Sequence, residues 1–294
     1  MDIVLITGAS SGIGLALAKK LWKSEYKVVA TLRRQSFKKI QDQAFYETER
    51  FLIRPLDINS FTEQEKLIRE IKRKWGSIDI LVNNAGISYR SVVEHMGSDD
   101  ELNQLSTNYL APMNLIKLVL PGMREKKRGR IINVSSVGGM MAMPTMASYS
   151  ASKFALEGAS ESLWYEMRPW NIHVSLIAPG FINSDSFKNV YKTDLYKKSE
   201  KTRANPYSAY YHHMGKFIQR IMTLSPSDAG DVAEVIVKTM RKKNPPLRVY
   251  ATIDALLFFY LRRILPRGFY HKLLYTFLPG IREWGKTNER KTLQ

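Results

Sequence analysis

The chain has 294 residues, of which 44% are hydrophobic and 24% charged, and its formal net charge is +18. This length and composition suffice for one large soluble domain and do not require a second. The sequence contains no cysteine, which excludes disulfides, thiolate metal ligands and a thiol nucleophile and fits a reducing compartment. Because no apolar run reaches the roughly 18 residues of a spanning helix and no secretory signal is expected before the first strand, we predict a cytoplasmic protein.

The excess positive charge gathers towards the end of the chain, where residues 236–294 hold 13 Lys or Arg and 3 Asp or Glu. One interpretation is a solvated basic surface. The sharper interpretations are attraction to an anionic membrane surface or to an anionic substrate. No nucleic-acid partner is expected, because no recognised nucleic-acid motif accompanies the charge.

Short apolar runs alternate with longer helical patterns over the first two-thirds of the chain. Nearly continuous apolar runs are typical of strands that helices cover on both faces. The predicted strands are Ile3–Ile6, Lys27–Thr31, Phe51–Leu56, Ile78–Val82, Arg130–Val134 and His173–Ile177. The predicted helices are Gly14–Ser24, Thr62–Trp75, Asp100–Lys126 and Tyr149–Arg168. The sequence therefore predicts an α/β fold with a doubly wound parallel sheet.

The regular alternation ends after Pro179-Gly180. Residues 182–224 are polar and rich in tyrosine, and we predict an insertion of loops and helices there. An amphipathic helix is predicted over Ser227–Arg241 and a last strand over Leu247–Thr252. We assign residues 1–250 to one domain and residues 251–294 to a basic, aromatic extension of that domain, because no linker or repeat separates them.

A glycine-rich loop joins the first predicted strand to the first predicted helix. Its sequence is Thr7-Gly8-Ala9-Ser10-Ser11-Gly12-Ile13-Gly14, with the spacing G-x-x-x-G-x-G. Glycines permit a tight turn and a close approach to a pyrophosphate, which the helix N-terminus then attracts. A plain turn is the alternative, but the position between strand and helix favours a dinucleotide site. We expect Gly8, Ser10, Ser11, Gly12, Ile13 and Gly14 to bind it.

Further motifs follow the glycine-rich loop in a fixed order. They are Asp57 after the third strand, NNAG at 83–86, Asn108, Ser136, Tyr149-Ser150-Ala151-Ser152-Lys153 and Pro179-Gly180. Together with the loop they resemble the short-chain dehydrogenase/reductase family over roughly residues 1–240. The resemblance implies a Rossmann-type fold, a nicotinamide cofactor, and hydride transfer to or from a carbonyl or alcohol carbon. It also implies a homodimer or homotetramer formed through the predicted helices Asp100–Lys126 and Tyr149–Arg168.

The resemblance assigns cofactor contacts to several positions of this sequence. Asp57 and Ile58 would flank the adenine. The NNAG segment, with Asn84, Ala85 and Gly86, would support the adenine ribose and the central strand. Pro179 and Gly180 open the segment beside the nicotinamide, in which Ile182 and Ser184 would contact the carboxamide; Ser184 replaces a more usual threonine and keeps a hydroxyl.

The end of the second strand bears on the choice between NAD and NADP. NAD enzymes place an acid about 20 residues past the glycines to bind the ribose 2′-hydroxyl. Here Leu32 occupies that region and Arg33 follows it. A guanidinium can bind a 2′-phosphate through charge-assisted, bidentate hydrogen bonds. We therefore predict NADP(H), with Arg33 and Arg34 as ordinary surface charges being the alternative.

Tyr149 and Lys153 lie one helical turn apart, so their side chains share a helix face. A neighbouring ammonium and an oxidised nicotinamide favour tyrosinate, and we expect the pKa of Tyr149 to be lowered. Tyr149 would then transfer the proton to or from the substrate oxygen. By the family spacing Ser136 would orient that oxygen, with Ser135 as the alternative. Lys153 would also bind the nicotinamide ribose, and Asn108 would hold a relay water.

The predicted substrate is a bulky, hydrophobic carbonyl or alcohol. Met141 and Met143 follow Ser136 and suit an adaptable apolar cavity, while Phe181 and Phe187, with Tyr191, Tyr210 and Tyr211, would form an aromatic lid. The sequence resembles the 17β-hydroxysteroid and retinol dehydrogenase branch, which implies steroid, retinoid or fatty-chain substrates. The alternatives are a 3-oxoacyl reductase of lipid synthesis and a non-catalytic NADP(H)-binding sensor or interaction protein.

Two further predictions concern metals and the tail. The five histidines, including His212 and His213, show no ligand spacing, so no metal is expected. Apolar residues recur at helical spacing over residues 253–264 and again after Pro266, next to Arg262, Arg263 and Lys272. Such a segment either packs on the main domain and closes the substrate pocket, or makes peripheral contact with a membrane surface.

Overall fold

A central seven-stranded parallel sheet organises the molecule. A computed structural model describes residues 1–38, 46–184, 190–202 and 205–286. The sheet has the order β3-β2-β1-β4-β6-β7-β9. Its strands are β1 (Ile3–Ile6), β2 (Lys27–Leu32), β3 (Phe51–Pro55), β4 (Ile80–Asn83), β6 (Gly129–Val134), β7 (Ile172–Ala178) and β9 (Arg248–Tyr250). The short strands β5 (Tyr89–Arg90) and β8 (Tyr191–Lys192) pair separately, also in parallel.

The helices lie on both faces of this sheet, so the predicted doubly wound α/β fold is confirmed. They are α1 (Gly12–Leu21), α2 (Phe61–Trp75), α3 (Ser98–Leu105), α4 (Ala111–Glu125), α5 (Ala147–Met167), α6 (Asp194–Lys201), α7 (Ser208–Leu224), α8 (Ala229–Arg241), α9 (Ile253–Ile264) and α10 (Arg267–Thr276). One apolar core joins the sheet to α1 and α8, and another joins it to α2, α4 and α5.

The direction of strand progression reverses at β1. In register, Leu5 pairs with Val29 of β2 on one side and with Leu81 of β4 on the other. All four residues of β1 are buried, as continuous apolar character predicts for a central parallel strand. At such a reversal the connections leave in opposite directions and open a crevice beyond the carboxyl ends of the strands. This crevice contains the candidate site.

The predicted helix over residues 100–126 is interrupted. A π-helical turn, Ser106–Leu110, lies between α3 and α4. Widening the helix by one residue leaves the apolar periodicity nearly unchanged, so the sequence pattern did not distinguish one helix from two. Such turns are frequent at functional sites, and this one contains Asn108.

The C-terminal extension packs against the main domain. Its two helices bury apolar residues against Val137, Met140 and Met141, which follow the end of β6. Within the described residues, no helix is both long and apolar enough to cross a bilayer. Because Val137, Met140 and Met141 follow the end of β6, the extension that packs on them borders the crevice at the carboxyl edge of the sheet.

Candidate active site

The glycine-rich loop packs closely against the end of β4. Gly8 has φ +72°, and a Cβ there would lie 2.7 Å from the Ala85 Cα. A Cβ on Gly14 would clash with the Gly8 carbonyl oxygen and with the Asn84 amide nitrogen. Glycine is needed at both positions for the loop and the NNAG segment to approach this closely.

Hydrogen bonds fix the two segments to each other. The Asn84 side chain donates to the carbonyls of Thr7 and Gly8, at 2.9 and 3.1 Å. The Thr7 hydroxyl oxygen accepts from the backbone N–H groups of Asn84 and Ala85, both at 3.0 Å. Asn84 and Ala85 therefore shape the cradle, while the neighbouring Gly86 is exposed.

The N-terminus of α1 is open to an anion. Its N-cap, Ser11, makes no side-chain capping bond, and its first turn contains no acidic residue. Ser11 and Gly12 are exposed, and Ser10 and Ile13 are partly buried. Free N–H groups and the positive end of the helix dipole both favour a phosphate at this point.

Arg33 and Asp57 lie near the edge of the crevice where the sequence predicts the adenine end of the cofactor. Arg33 follows buried Leu32 at the end of β2 and is exposed. The Asp57 carboxylate accepts from the Asn59 N–H at 3.0 Å, while the Asp57 N–H donates to Glu63 at 2.8 Å. Ile58 is partly buried against the core below.

Ser136 and Tyr149 meet beyond the end of β6. Ser136 begins a 3₁₀ turn, Val137–Gly139, and its oxygen accepts from the Gly138 N–H at 3.0 Å. The Tyr149 side chain, from the first turn of α5, hydrogen-bonds to Ser136. Ser135 is instead buried beneath Gly139, whose Cβ would lie 2.8 Å from its hydroxyl oxygen. The geometry thus brings Ser136, and not Ser135, to Tyr149.

Lys153 lies beneath the Tyr149 ring. Its side chain is buried, with the ammonium nitrogen 6.0 Å from the ring centroid of Tyr149. That nitrogen donates to the Val134 carbonyl oxygen at 2.9 Å. Burial lowers the pKa of Lys153 to about 8, and the negative charge of Glu157 opposes this shift. The ammonium is therefore the main form at neutral pH.

The pKa of Tyr149 is raised above its ordinary value, because burial of the phenolic group outweighs the other influences. The hydrogen bond with Ser136 and the positive charge of Arg90 act in the opposite direction. Without the cofactor the pKa is therefore raised, and the lowering expected beside an oxidised nicotinamide stays a prediction. The neutral phenol is the form that can donate a proton.

Asn108 projects from the π-helical turn and is buried. Its side chain accepts from the Ile87 N–H at 2.9 Å and donates to the Ile87 carbonyl oxygen at 3.0 Å. It also donates to the Ser152 hydroxyl at 3.0 Å. Asn108 thus holds the segment after NNAG against α5, and its role in a water relay stays a prediction.

The Pro179-Gly180 segment is tied to the start of α9. The Gly180 N–H donates to the Thr252 hydroxyl at 2.9 Å, and the Phe181 N–H donates to Asp254 at 2.8 Å. Ile182 is buried in the core, so only its backbone remains available for the predicted carboxamide contact. Ser184 is partly buried and borders a large cavity beneath the insertion.

The predicted substrate residues are divided among different surroundings. Met141 is buried among residues of the C-terminal extension, and Met143 borders a cavity of about 490 Å³ beside Tyr207 and Tyr210. Phe181 is partly buried, and Phe187 lies outside the described residues. Tyr211 is buried, its hydroxyl contacts His95 at 2.8 Å, and it lines the large cavity beneath the insertion.

An apolar wall nevertheless stands beside Tyr149. It consists of methionines and aromatic residues from α7, from the segment before α5 and from the end of the extension: Met143, Met146, Met214, Phe217, Ile218, Met222, Leu278 and Trp284. Stacking of Tyr210 on Trp284, with centroids 4.2 Å apart, joins α7 to the extension. Insertion and extension together cover the site.

The family description "short chain dehydrogenase" matches residues 2–195. The chain belongs to this family. It is accordingly an oxidoreductase, as the ordered motifs predicted.

Relatives within the short-chain dehydrogenases extend the match beyond the family region. The 3-ketodihydrosphingosine reductase of Bacteroides thetaiotaomicron is 33% identical over 84% of this chain and 86% of its own length. The 17-beta-hydroxysteroid dehydrogenase type 1 of Homo sapiens is 32% identical over 85% of this chain and 77% of its own length, which confirms the predicted resemblance to the hydroxysteroid dehydrogenase branch. A short-chain dehydrogenase structure from Streptomyces avermitilis superposes with a TM-score of 0.77 at 26% identity, covering 94% of this chain and 97% of the other.

Sequence reasoning missed Arg90 in this short-chain dehydrogenase. Arg90 belongs to the two-residue strand β5, is buried, and acts electrostatically on Tyr149. It borders a cavity of about 1420 Å³ together with Lys192, Ser184 and Tyr196. Its position after NNAG was the only available signal, since its burial depends on pairing with β8. Burial lowers the pKa of Arg90 to about 10, so it stays charged at neutral pH.

No group of three or more His, Asp or Glu side chains is arranged to hold a metal ion in residues 1–38, 46–184, 190–202 and 205–286. His213 contacts Glu283 at 2.8 Å and His95 contacts Tyr211. His213 thus joins the insertion to the extension, and His95 joins the insertion to the segment that follows β5.

Proposed function

We propose that this short-chain dehydrogenase is an NADP(H)-dependent oxidoreductase that acts on a bulky, hydrophobic carbonyl or alcohol. The observation that carries the proposal is the contact between Ser136 and Tyr149, with Lys153 beneath them, at the open edge of the sheet. Two hydroxyl groups at one point can bind a single carbonyl oxygen. The glycine-rich loop lies beyond the carboxyl end of β1 at the same edge of the sheet.

The residues present fit a dinucleotide. The uncapped N-terminus of α1 suits the pyrophosphate, and the cradle made by Gly8, Gly14 and Asn84 lets the backbone approach it. The Pro179-Gly180 segment would border the nicotinamide. When bound, the nicotinamide supplies or accepts the hydride.

The chain's own residues handle the substrate oxygen and the proton. The Ser136 hydroxyl donates a hydrogen bond that orients the carbonyl oxygen. The Tyr149 phenol donates its proton to that oxygen as the carbon is reduced, and takes it back in the reverse direction. Burial keeps Tyr149 protonated at neutral pH, so the phenol is available there as the proton donor for reduction.

Lys153 acts on Tyr149 through charge. Its ammonium group is buried close to the phenol, where the low dielectric strengthens electrostatic interactions. The positive charge stabilises the tyrosinate that forms as the proton leaves. Lys153 thus makes proton donation by a buried phenol easier at the moment of reduction.

Arg33 supports NADP(H) over NAD(H). It is exposed at the end of β2, and the preceding Leu32 is buried and apolar. A 2′-phosphate at this point would meet a guanidinium and no carboxylate from that strand end. A carboxylate there would instead bind the ribose hydroxyl of NAD and repel the phosphate.

The surroundings of Tyr149 support a bulky, apolar substrate. Methionine side chains of the apolar wall adapt to irregular shapes. The names of the two relatives refer to a ketodihydrosphingosine and a 17β-hydroxysteroid. We infer that the substrate belongs to the steroid, retinoid or fatty-chain class.

The test is NADPH oxidation by the purified protein against retinal, ketosteroids, long-chain ketones and aldehydes, and 3-oxoacyl esters. We expect turnover of at least one hydrophobic ketone or aldehyde, and loss of that turnover in Tyr149→Phe. Turnover confined to 3-oxoacyl esters would contradict the substrate class. Tight NADPH binding without turnover of any substrate would favour a sensor protein over an enzyme.

We also propose a homodimer or homotetramer built through α3, α4 and α5. These helices and the π-helical turn between α3 and α4 expose apolar side chains to solvent, namely Leu102, Leu110, Phe154 and Tyr165. Exposed apolar surface of this kind is typical of an interface. Light scattering should show a dimer or larger assembly, and Leu102→Glu with Tyr165→Glu should give a monomer. A monomeric wild type would contradict this assembly.

A further inference from the structure

The helix α9 exposes an apolar face that nothing in the described structure covers. Five of its side chains are exposed: Ile253 (84%), Leu256 (40%), Leu257 (55%), Tyr260 (49%) and Ile264 (73%). At 3.6 residues per turn they fall within roughly 100° of the helix circumference. They form one continuous stripe, which we call the outer face of α9.

The opposite face of α9 is anchored to the main domain, so the outer face has a fixed orientation. Ala255 is fully buried, and Phe258 and Phe259 pack against the cluster around Met140 and Met141. At the start of the helix, Asp254 accepts the Phe181 N–H. One set of apolar residues of this helix therefore packs against the main domain, and the other set faces solvent.

After the first turn of α9, the charged residues of α9 and α10 are all positive. Between Ala255 and Arg282 the sequence contains five Lys or Arg and no Asp or Glu. Arg263, Arg267 and Lys272 are exposed. Phe269, Tyr275 and Phe277 are also exposed, at 55%, 62% and 74%. Exposed apolar and aromatic side chains beside cations suit the interface of a bilayer that carries anionic lipids.

We propose that α9, with the cations that follow it, binds peripherally to the surface of an anionic lipid membrane. A helix of 12 residues is too short to span a bilayer, so it would lie in the interface plane with its outer face in the lipid. This inference does not rest on the proposed cofactor or substrate class. The outer face of α9 thus makes the membrane contact that was predicted for the basic tail. The inner face packs on the main domain, which was the alternative prediction for the same tail.

A second copy of the chain is a poorer occupant. Pairing two outer faces about a two-fold axis would bring the cations of one copy towards those of the other. Arg263, Arg267 and Lys272 are exposed beside the outer face, so that arrangement is repulsive. An anionic bilayer would attract the cations that repel each other in the dimer. It would also take up the apolar side chains of the outer face.

The location of the outer face gives the contact a consequence. Thr252 and Asp254, at the start of α9, are hydrogen-bonded to Gly180 and Phe181 of the candidate nicotinamide segment. A membrane bound to α9 would therefore lie near the crevice. A substrate dissolved in lipid would then reach the site without crossing water.

The experiment is co-sedimentation of the full chain with vesicles of phosphatidylcholine alone and with phosphatidylserine added. The apolar-face variant is Leu256→Gln, Leu257→Gln and Ile264→Gln. Its control replaces exposed apolar residues elsewhere: Val93→Gln, Leu195→Gln and Leu224→Gln. We expect wild type to bind the anionic vesicles, the apolar-face variant to bind about tenfold or more weakly, and the control to bind like wild type.

A charge variant tests the contribution of the cations to membrane binding. It carries Arg263→Gln, Arg267→Gln and Lys272→Gln, and it spares Arg262, whose guanidinium lies 5.1 Å from the Phe154 ring centroid. The control with equal charge loss is Lys72→Gln, Arg73→Gln and Lys74→Gln at the exposed end of α2. The charge variant should lose roughly a hundredfold in affinity at low salt, and its control much less.

Three results would overturn the proposal. Wild type that stays in the supernatant with anionic vesicles at low salt would exclude the contact. Equal binding by wild type and the apolar-face variant would reduce it to non-specific charge adsorption. A dimer in lipid-free solution that the apolar-face variant dissociates would assign the outer face to a second copy.

Discussion

The Arg33 guanidinium lies 3.3 Å from the phenolic oxygen of Tyr191. Arg33 directly follows β2 and Tyr191 belongs to β8 of the insertion. The residue proposed to bind the 2′-phosphate therefore contacts the insertion. Tyr191 is itself held by stacking on Tyr89, with ring centroids 5.1 Å apart. The cofactor side and the insertion are thus linked by a hydrogen bond from the Arg33 cation to a neutral hydroxyl, which a phosphate can replace with a stronger bond between opposite charges.

Arg33→Asp should reverse the cofactor preference. The carboxylate would repel the 2′-phosphate and accept the ribose hydroxyl of NADH, so the ratio of kcat/KM for NADPH to that for NADH should fall by about tenfold or more. Tyr191→Phe is the matched control, because it removes only the hydroxyl partner of Arg33, and it should leave the ratio nearly unchanged. A wild type that already prefers NADH would contradict the assignment.

Ser136→Ala and Ser135→Ala should have unequal effects. Ser136 contacts Tyr149, whereas Ser135 is buried beneath Gly139. Loss of the Ser136 hydroxyl should lower kcat by roughly a hundredfold, and loss of the Ser135 hydroxyl should cost less. Single-turnover rates with saturating NADPH would measure both. A larger loss of kcat in Ser135→Ala than in Ser136→Ala would assign the orientation of the substrate oxygen to Ser135.

The rate of carbonyl reduction should fall as pH rises above about 8. Lys153 has a pKa lowered to about 8 by burial, so its ammonium is present below that pH and is lost above it. Tyr149 stays protonated across this window, because burial raises its pKa. The pH profile of kcat/KM should lose this step in Lys153→Met, which should also be slow at every pH. A wild-type profile that stays flat to pH 10 would contradict the role of Lys153.

Arg90→Met should shift alcohol oxidation to higher pH. Oxidation requires tyrosinate, which the positive charge of Arg90 favours, so its removal should raise the apparent pKa of kcat/KM. Arg90→Lys keeps the charge and should restore the profile in part. Thermal unfolding of both variants would separate a loss of stability from an effect on Tyr149. An unchanged profile in Arg90→Met would show that Arg90 does not act on Tyr149.

The sheet, the glycine-rich loop and the Tyr149–Lys153 pair were predictable because each depends on local sequence. β1 is one continuous apolar run, and the glycines directly follow it. The helical spacing of four residues places Tyr149 and Lys153 on one face wherever α5 begins. The relation of Ser136 to Tyr149 came from the family spacing and not from local pattern.

The features that escaped prediction depend on contacts distant in sequence. Arg90 is buried because β5 pairs with β8, about one hundred residues later, and a strand of two residues has no periodicity to detect. The two faces of α9 look equally apolar in sequence. Only the anchoring of Asp254 and the packing on Met140 decide which face is exposed.

The most direct test of the account measures NADPH binding and turnover together in Tyr149→Phe. The substitution removes only the transferable proton, so fluorescence titration should give a Kd for NADPH within about threefold of wild type. Turnover of the best hydrophobic ketone should fall by roughly a hundredfold or more. Retention of more than about a tenth of the wild-type rate, a barrier change below ~1.4 kcal/mol, would show that Tyr149 is not the proton donor.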